Sequence, residues 1–159
     1  MAVSPDDFRR ALRKFVSGVT IVTVSADDEL HGATASSFAS VSLDPPLILV
    51  CLDKASHTRA LLLKRGSFAV NILGADQAEV ARDFSKTGQK PFDRLRFHLG
   101  SQGAPLFDDS IAWMECKTER VVEAGDHDIV IGEVTSCDAT EEMPLMYYEA
   151  GYRTLEDHP

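Results

Sequence analysis

The stretch His31-Gly32-Ala33-Thr34-Ala35-Ser36-Ser37-Phe38-Ala39-Ser40-Val41-Ser42-Leu43-Asp44-Pro45-Pro46-Leu47-Ile48-Leu49-Val50-Cys51-Leu52 carries the decision about the fold. Its first part reads as a strand of small residues, and Pro45-Pro46 then breaks the chain. Leu47 to Leu52 is a continuous apolar run, typical of a strand buried on both faces. Upstream, Val19-Thr20-Ile21-Val22-Thr23-Val24 is almost entirely β-branched and suits a strand. Asp27-Asp28 marks the turn between the two.

Ser4 is a candidate helix N-cap, with Pro5 at the first helical position and Asp6 and Asp7 at the positive end of the dipole. Phe8, Leu12, Phe15 and Val16 recur at helical spacing, and Gly18 offers a stop. Downstream, Ser56 caps a short helix through Leu61 to Lys64 that Gly66 closes, and Phe68 to Leu73 is another strand. Asp76 to Phe84 reads as a helix with Ala78, Val80 and Ala81 inward, and Lys86 to Pro105 as a long irregular loop. Two long strands, Ile111 to Val122 and Asp128 to Cys137, flank the turn Ala124-Gly125-Asp126-His127. Leu145 to Tyr148 and Gly151-Tyr152 end the pattern.

No repeat or linker divides the chain, so residues 1–159 are expected to form a single domain of six or seven strands and two to four helices. Sequential antiparallel strands with short inserted helices favour an α+β barrel over a doubly wound parallel sheet, and no G-x-G-x-x-G turn follows the first strand.

Composition narrows the function. The hydrophobic share of 44% and the charged share of 26% are globular values, and no apolar run approaches a membrane span. The first ten residues lack a secretory pattern, so a cytoplasmic protein is expected. Cys51, Cys116 and Cys137 are odd in number and widely spaced, which fits small apolar residues inside strands better than disulfides or a zinc site. Sixteen basic against 25 acidic residues give a net charge of −9, a field that repels nucleic acid. The five histidines include no H-E-x-x-H or comparable pair, so no metal is expected, and there is no G-x-S-x-G elbow or Walker loop.

Three segments could carry chemistry. The small residues Ala33 to Ser42 would let a flat ring approach the backbone, with hydroxyls and N–H groups for its polar edge, or they form an edge strand whose hydroxyls face water. Asp53-Lys54-Ala55-Ser56-His57-Thr58-Arg59 lies where a strand ends and a helix begins. It suits a phosphate cradle, or equally an ordinary N-cap with solvated charges. Gly125-Asp126-His127 is a hairpin turn whose histidine is a ligand contact or a solvated bystander.

In order, Phe15 to Thr23, Gly32 to Leu47 with its serine run ending in Asp44-Pro45-Pro46, Phe68 to Leu73, Gly125-Asp126-His127 and Pro144-Leu145…Gly151-Tyr152 resemble the flavin reductase-like family. The resemblance runs from about Phe8 to Leu155 and implies an FMN-binding split β-barrel with short flanking helices. It implies that Thr34, Ala35, Ser36, Ser37 and Ser40 line the isoalloxazine of FMN or FAD. Asp53, Lys54, Ala55, Ser56 and Thr58 would border the ribityl phosphate, with Ser85 and Lys86 closing over it. His127 would sit by the nicotinamide of NADH or NADPH, and Tyr152 near the same cleft. No side chain need act as acid or base, since the cofactors carry the hydride. The family also implies a homodimer that supplies diffusing reduced flavin to a separate monooxygenase. The alternatives are a flavoprotein with tightly held flavin, acting as oxidase or redox sensor, and a binding module that has lost flavin.

Overall fold

In the computed structural model, which describes residues 2–155, helix α1 (Pro5–Leu12) and the pair β1 (Ser17–Gly18) precede four strands. These are β2 (Thr20–Ala26), β3 (Glu29–Ala35), β4 (Phe38–Leu43) and β5 (Pro46–Asp53). Helix α2 (His57–Arg65), β6 (Ser67–Ile72) and helix α3 (Ala78–Ser85) follow. The remainder is β7 (Phe97–Leu99), β8 (Pro105–Phe107), β9 (Ala112–Ala124), β10 (His127–Ala139), β11 (Leu145–Tyr148) and β12 (Gly151–Thr154).

Seven of these strands form one antiparallel sheet in the order β3-β2-β6-β9-β10-β5-β4. Its two edge strands, β3 and β4, are neighbours in sequence and only Ser36 and Ser37 lie between them. A flat sheet of seven strands would hold its edges about 29 Å apart, at about 4.8 Å per spacing, whereas the chain from Ala35 to Phe38 reaches at most about 11 Å. The sheet must therefore curl until its edges meet. The interior confirms it, because Val22, Ala26 and Ala35 from one end share a core with Ile48, Val50 and Leu52 from the other. No ladder joins β3 to β4, so the result is the expected α+β split barrel, mostly antiparallel with three short helices.

β2 is buried along nearly its whole length, as its β-branched run requires, and β5 alternates buried and half-buried positions. Leu61 and Leu62 of α2 close one side of the core, and Ala81 and Phe84 of α3 join Phe107 and Leu145 in a second cluster. At Gly132 the β9–β10 register shifts, and a Cβ there would stand 2.6 Å from the Phe68 ring. Only a residue without a side chain lets that ring fill the barrel. Asp27 and Asp28 both take positive φ (54° and 60°), the geometry of a tight two-residue hairpin turn.

The capping expectations hold. The Ser4 hydroxyl accepts the Asp7 amide, Ser56 accepts that of Arg59, and Gly66 ends α2 in the left-handed region at φ 74°. Two readings need correction. The first helix stops at Leu12, because Ser17 and Gly18 are recruited to pair with Tyr147 and Met146. None of its residues is buried, and Phe8, Leu12, Phe15 and Val16 are left uncovered. The segment from Lys86 to Pro105 is not wholly irregular: it holds a 3-10 turn at Phe92–Arg94 and the strand β7, which pairs with β8. The three cysteines sit inside strands as expected, in β5, β9 and β10: Cys116 is buried, its thiol pushed up to about 12 by burial, Cys51 is half-buried and Cys137 is exposed.

Asn71 is the polar hub of the interior. Its amide nitrogen donates to the carbonyls of Ile21 and Pro105 and to the Thr23 hydroxyl, and its oxygen accepts the Phe107 amide at 2.8 Å. It fastens β8 across β2 and β6. Asn71→Leu keeps the branched shape but strands those groups, so a loss of about 3 kcal/mol is expected in urea unfolding, consistent with several buried polar groups left unpaired.

Candidate functional site

A cleft of about 590 Å³ opens beside the split in the barrel, a size that suits a small-molecule ligand. Its walls are Thr34 of β3, the loop from Asp53 to Thr58, Ser85 at the end of α3, and Lys86 and Lys90 beyond it. Lys54, which follows Asp53, does not line it; its ammonium lies 3.9 Å from Glu123.

The loop is built locally. Asp53 accepts the Ala55 amide through its side chain at 2.8 Å and the Ser56 amide through its carbonyl at 2.9 Å, so its carboxylate is occupied with the turn. The Lys54 amide donates to the Asp126 carbonyl. Ser56 accepts the Arg59 amide while its own proton stays free to donate, and the first amides of α2 follow it. Arg59 in turn donates to the buried carboxylate of Asp128 at 2.5 Å and to the Lys54 carbonyl at 3.4 Å, tying helix and loop to β10. The second oxygen of Asp128 has no partner among the described residues.

Thr58 is fully buried and lies 2.8 Å from His31 Nδ1. Burial, with Lys90 and His57 nearby, lowers the His31 pKa, so the ring is neutral at pH 7. The Lys90 ammonium is buried against the carbonyls of Phe84 and Lys86, and burial lowers its pKa as well. Lys86 pairs with Asp83 at 2.7 Å and stays exposed. The cleft thus offers hydroxyls, amides and the exposed Lys86 ammonium within a chain of charge −9, a local field suited to a phosphate.

The expected ring-binding residues are divided by the structure. Thr34 lines the cleft, its hydroxyl donating to the Ala81 carbonyl at 2.6 Å. Ala35 points its side chain into the barrel core, leaving only its backbone for a ligand. Ser36 and Ser37 line a second cavity of about 580 Å³ beneath α1, with Leu12, Phe15, Phe38 and Tyr147. Ser40 is exposed on β4 and lines neither cavity. His127 opens β10 opposite Asp53 in register, half-exposed, with Nδ1 2.8 Å from Asp126; that contact holds the Asp126 carboxyl below its usual range. Tyr152 packs on Tyr147 with Arg82 5.3 Å above its ring, and burial raises its pKa. Sequence reasoning quoted His57 within the candidate cradle without a role and missed His31 and Lys90 as cleft residues. An isolated histidine or lysine carries no spacing signal, and only folding brings these three together.

A model of the family described as flavin reductase like domain matches residues 12–156. A relative from Rhizobium meliloti (strain 1021) is 42% identical over 151 residues, covering 94% of this chain and 49% of the relative, so the chain spans about half that protein's length. The reductase subunit of a flavin-dependent monooxygenase of Rhodococcus jostii (strain RHA1) is 35% identical over 156 residues, 98% of this chain and 80% of that one. The NADH:FAD oxidoreductase of Streptomyces globisporus, solved with NAD and FAD fragments, superposes with a TM-score of 0.91 at 37% identity, covering 98% of this chain and 97% of the other.

The Arg59–Asp128 pair predicts a measurable coupling. Asp128→Ala leaves the Arg59 cation, only 23% exposed, without its partner. Stability should fall by about 3 kcal/mol in urea unfolding. Flavin affinity, read by fluorescence quenching, should weaken with it as the loop from Asp53 to Thr58 loosens.

Proposed function

The chain belongs to the flavin reductase-like family, and on that premise we propose that it is an NAD(P)H:flavin oxidoreductase acting as one domain, which reduces FMN or FAD and supplies the reduced flavin to a separate monooxygenase. The observation that carries this reading is the cleft itself. It joins the N-terminus of α2, the Ser56 and Thr34 hydroxyls and the Lys86 ammonium in one wall beside the split. That donor set fits a phosphate-bearing flavin.

When bound, the flavin supplies the hydride-accepting N5, and the nicotinamide supplies the hydride. Ser56 and the first amides of α2 hold the phosphate end, and Lys86 neutralises part of its charge. The backbone from Thr34 to Ser37 offers N–H groups for the polar edge of the ring and for the negative charge that reduction places on it. His127, half-exposed at the head of β10, positions the nicotinamide.

The uncovered stripe Phe8, Leu12, Phe15 and Val16 supports a homodimer, in which a second copy covers α1 and closes the cavity holding Ser36 and Ser37. No helix among the described residues is long and apolar enough to cross a membrane. The unpaired thiols support a cytoplasmic location, where nicotinamide nucleotides are also at hand.

The test is NADH consumption by flavin-stripped protein with and without added FMN or FAD. Turnover that saturates in free flavin is expected. Flavin binding with no consumption of NADH or NADPH overturns the reductase reading in favour of an oxidase or sensor that keeps its flavin. His127→Ala should raise the KM for NADH more than it weakens flavin binding, and unchanged steady-state kinetics would remove the positioning role.

A further inference from the structure

Glu29, His31 and His57 are 28 residues apart at most in sequence, yet one donor atom from each comes within 4.8 Å of the others. We propose that they form a binding site for a divalent metal ion of the zinc class in the wall of the cleft.

The placement follows from the elements. Glu29 and His31 stand at alternate positions of β3 and so share one face of the strand. His57 is the first residue of α2 and comes over against them. Its Nε2 lies 2.9 and 3.1 Å from the two Glu29 oxygens, close to the roughly 3.3 Å between ligand atoms around a tetrahedral zinc. The His31 ring stands perpendicular to that of His57, with centroids 4.8 Å apart. The contact with Thr58 fixes its rotation, as outer hydrogen-bond partners do for ligating histidines.

Among the described residues, Glu29 pairs with His57 and with no lysine or arginine, and the nearby Lys90 ammonium is engaged by the carbonyls of Phe84 and Lys86. The carboxylate is therefore available to a cation. Two imidazoles and one carboxylate favour zinc-class ions over magnesium or calcium, which prefer all-oxygen shells. Three protein ligands leave one position open, the pattern of sites that accept an exchangeable ligand. Since His31 and His57 also line the cleft, that position is open to a water or a phosphate oxygen there.

The test measures zinc binding to the full, untagged, flavin-free chain by equilibrium dialysis with metal analysis. One equivalent is expected. Glu29→Gln and His57→Ala should each weaken binding at least about tenfold, the scale seen even for losing a ligand's outer partner. Both side chains are about half exposed, at 46% and 54%, so both variants should keep the parent far-UV circular dichroism. Cys137→Ser should bind as the parent does, and the cobalt-loaded protein should show no thiolate charge-transfer band. Absence of one-equivalent binding, affinity unchanged in both variants, or a loss that follows Cys137 overturns the proposal. No turnover enters the measurement, so its outcome is independent of the reductase reading.

Discussion

Two residues, Ser36 and Ser37, join the opposite edges of a seven-stranded sheet, and most of the structure depends on that short reach. It forces the sheet to close on itself, which places Ala26 and Ala35 against Ile48, Val50 and Leu52 in one core. It also puts the end of β3 beside the loop leaving β5, so that Thr34 and Ser56 share a cleft. Thr34 lies within β3, whereas Ser36 and Ser37 belong to neither strand and do not continue its alternation. Thr34 therefore opens onto one side of the join, while Ser36 and Ser37 open onto the other, beneath α1.

Much of the fold was legible in the sequence because its signals are local. β-branched runs, the two serine caps and Gly66 act over a few residues, and the strands and α2 formed where they pointed. What failed was whatever depends on distant partners. The stripe from Phe8 to Val16 shows that α1 has an apolar side, but periodicity does not say what covers it. The break at Ser36-Ser37 is invisible in a run of small residues that all suit a strand. β7 and β8 are three residues each, too short for an alternating pattern, and exist because Asn71 and Thr23 bind the β8 backbone across the barrel.

The cleft was legible in part for the same reason. The caps and turn residues of Asp53 to Thr58 announce a helix start, and the helix start brings its own donors. The supporting contacts are tertiary. Arg59 meets Asp128 across 69 positions, and His31 meets Thr58 across 27. The residues behind the loop therefore had to come from the structure. Asp53 shows how the two views combine: an acid beside an anion site is unfavourable on paper, and its carboxylate is spent on the Ala55 amide instead.

The seam between β3 and β4 has one more consequence. Each other boundary in the large sheet is sewn by a run of ladder hydrogen bonds, whereas here the edges are held by the covalent link and by the core that the two ends of the sheet share. A wall stitched in this way can part along one line without rupturing a ladder, and rejoin without searching, because the link keeps the two edges in register for each other. Slow opening of the barrel should thus concentrate along the seam, giving its amides the weakest protection in the sheet. That line of easy parting runs past the cleft where a planar guest would have to enter.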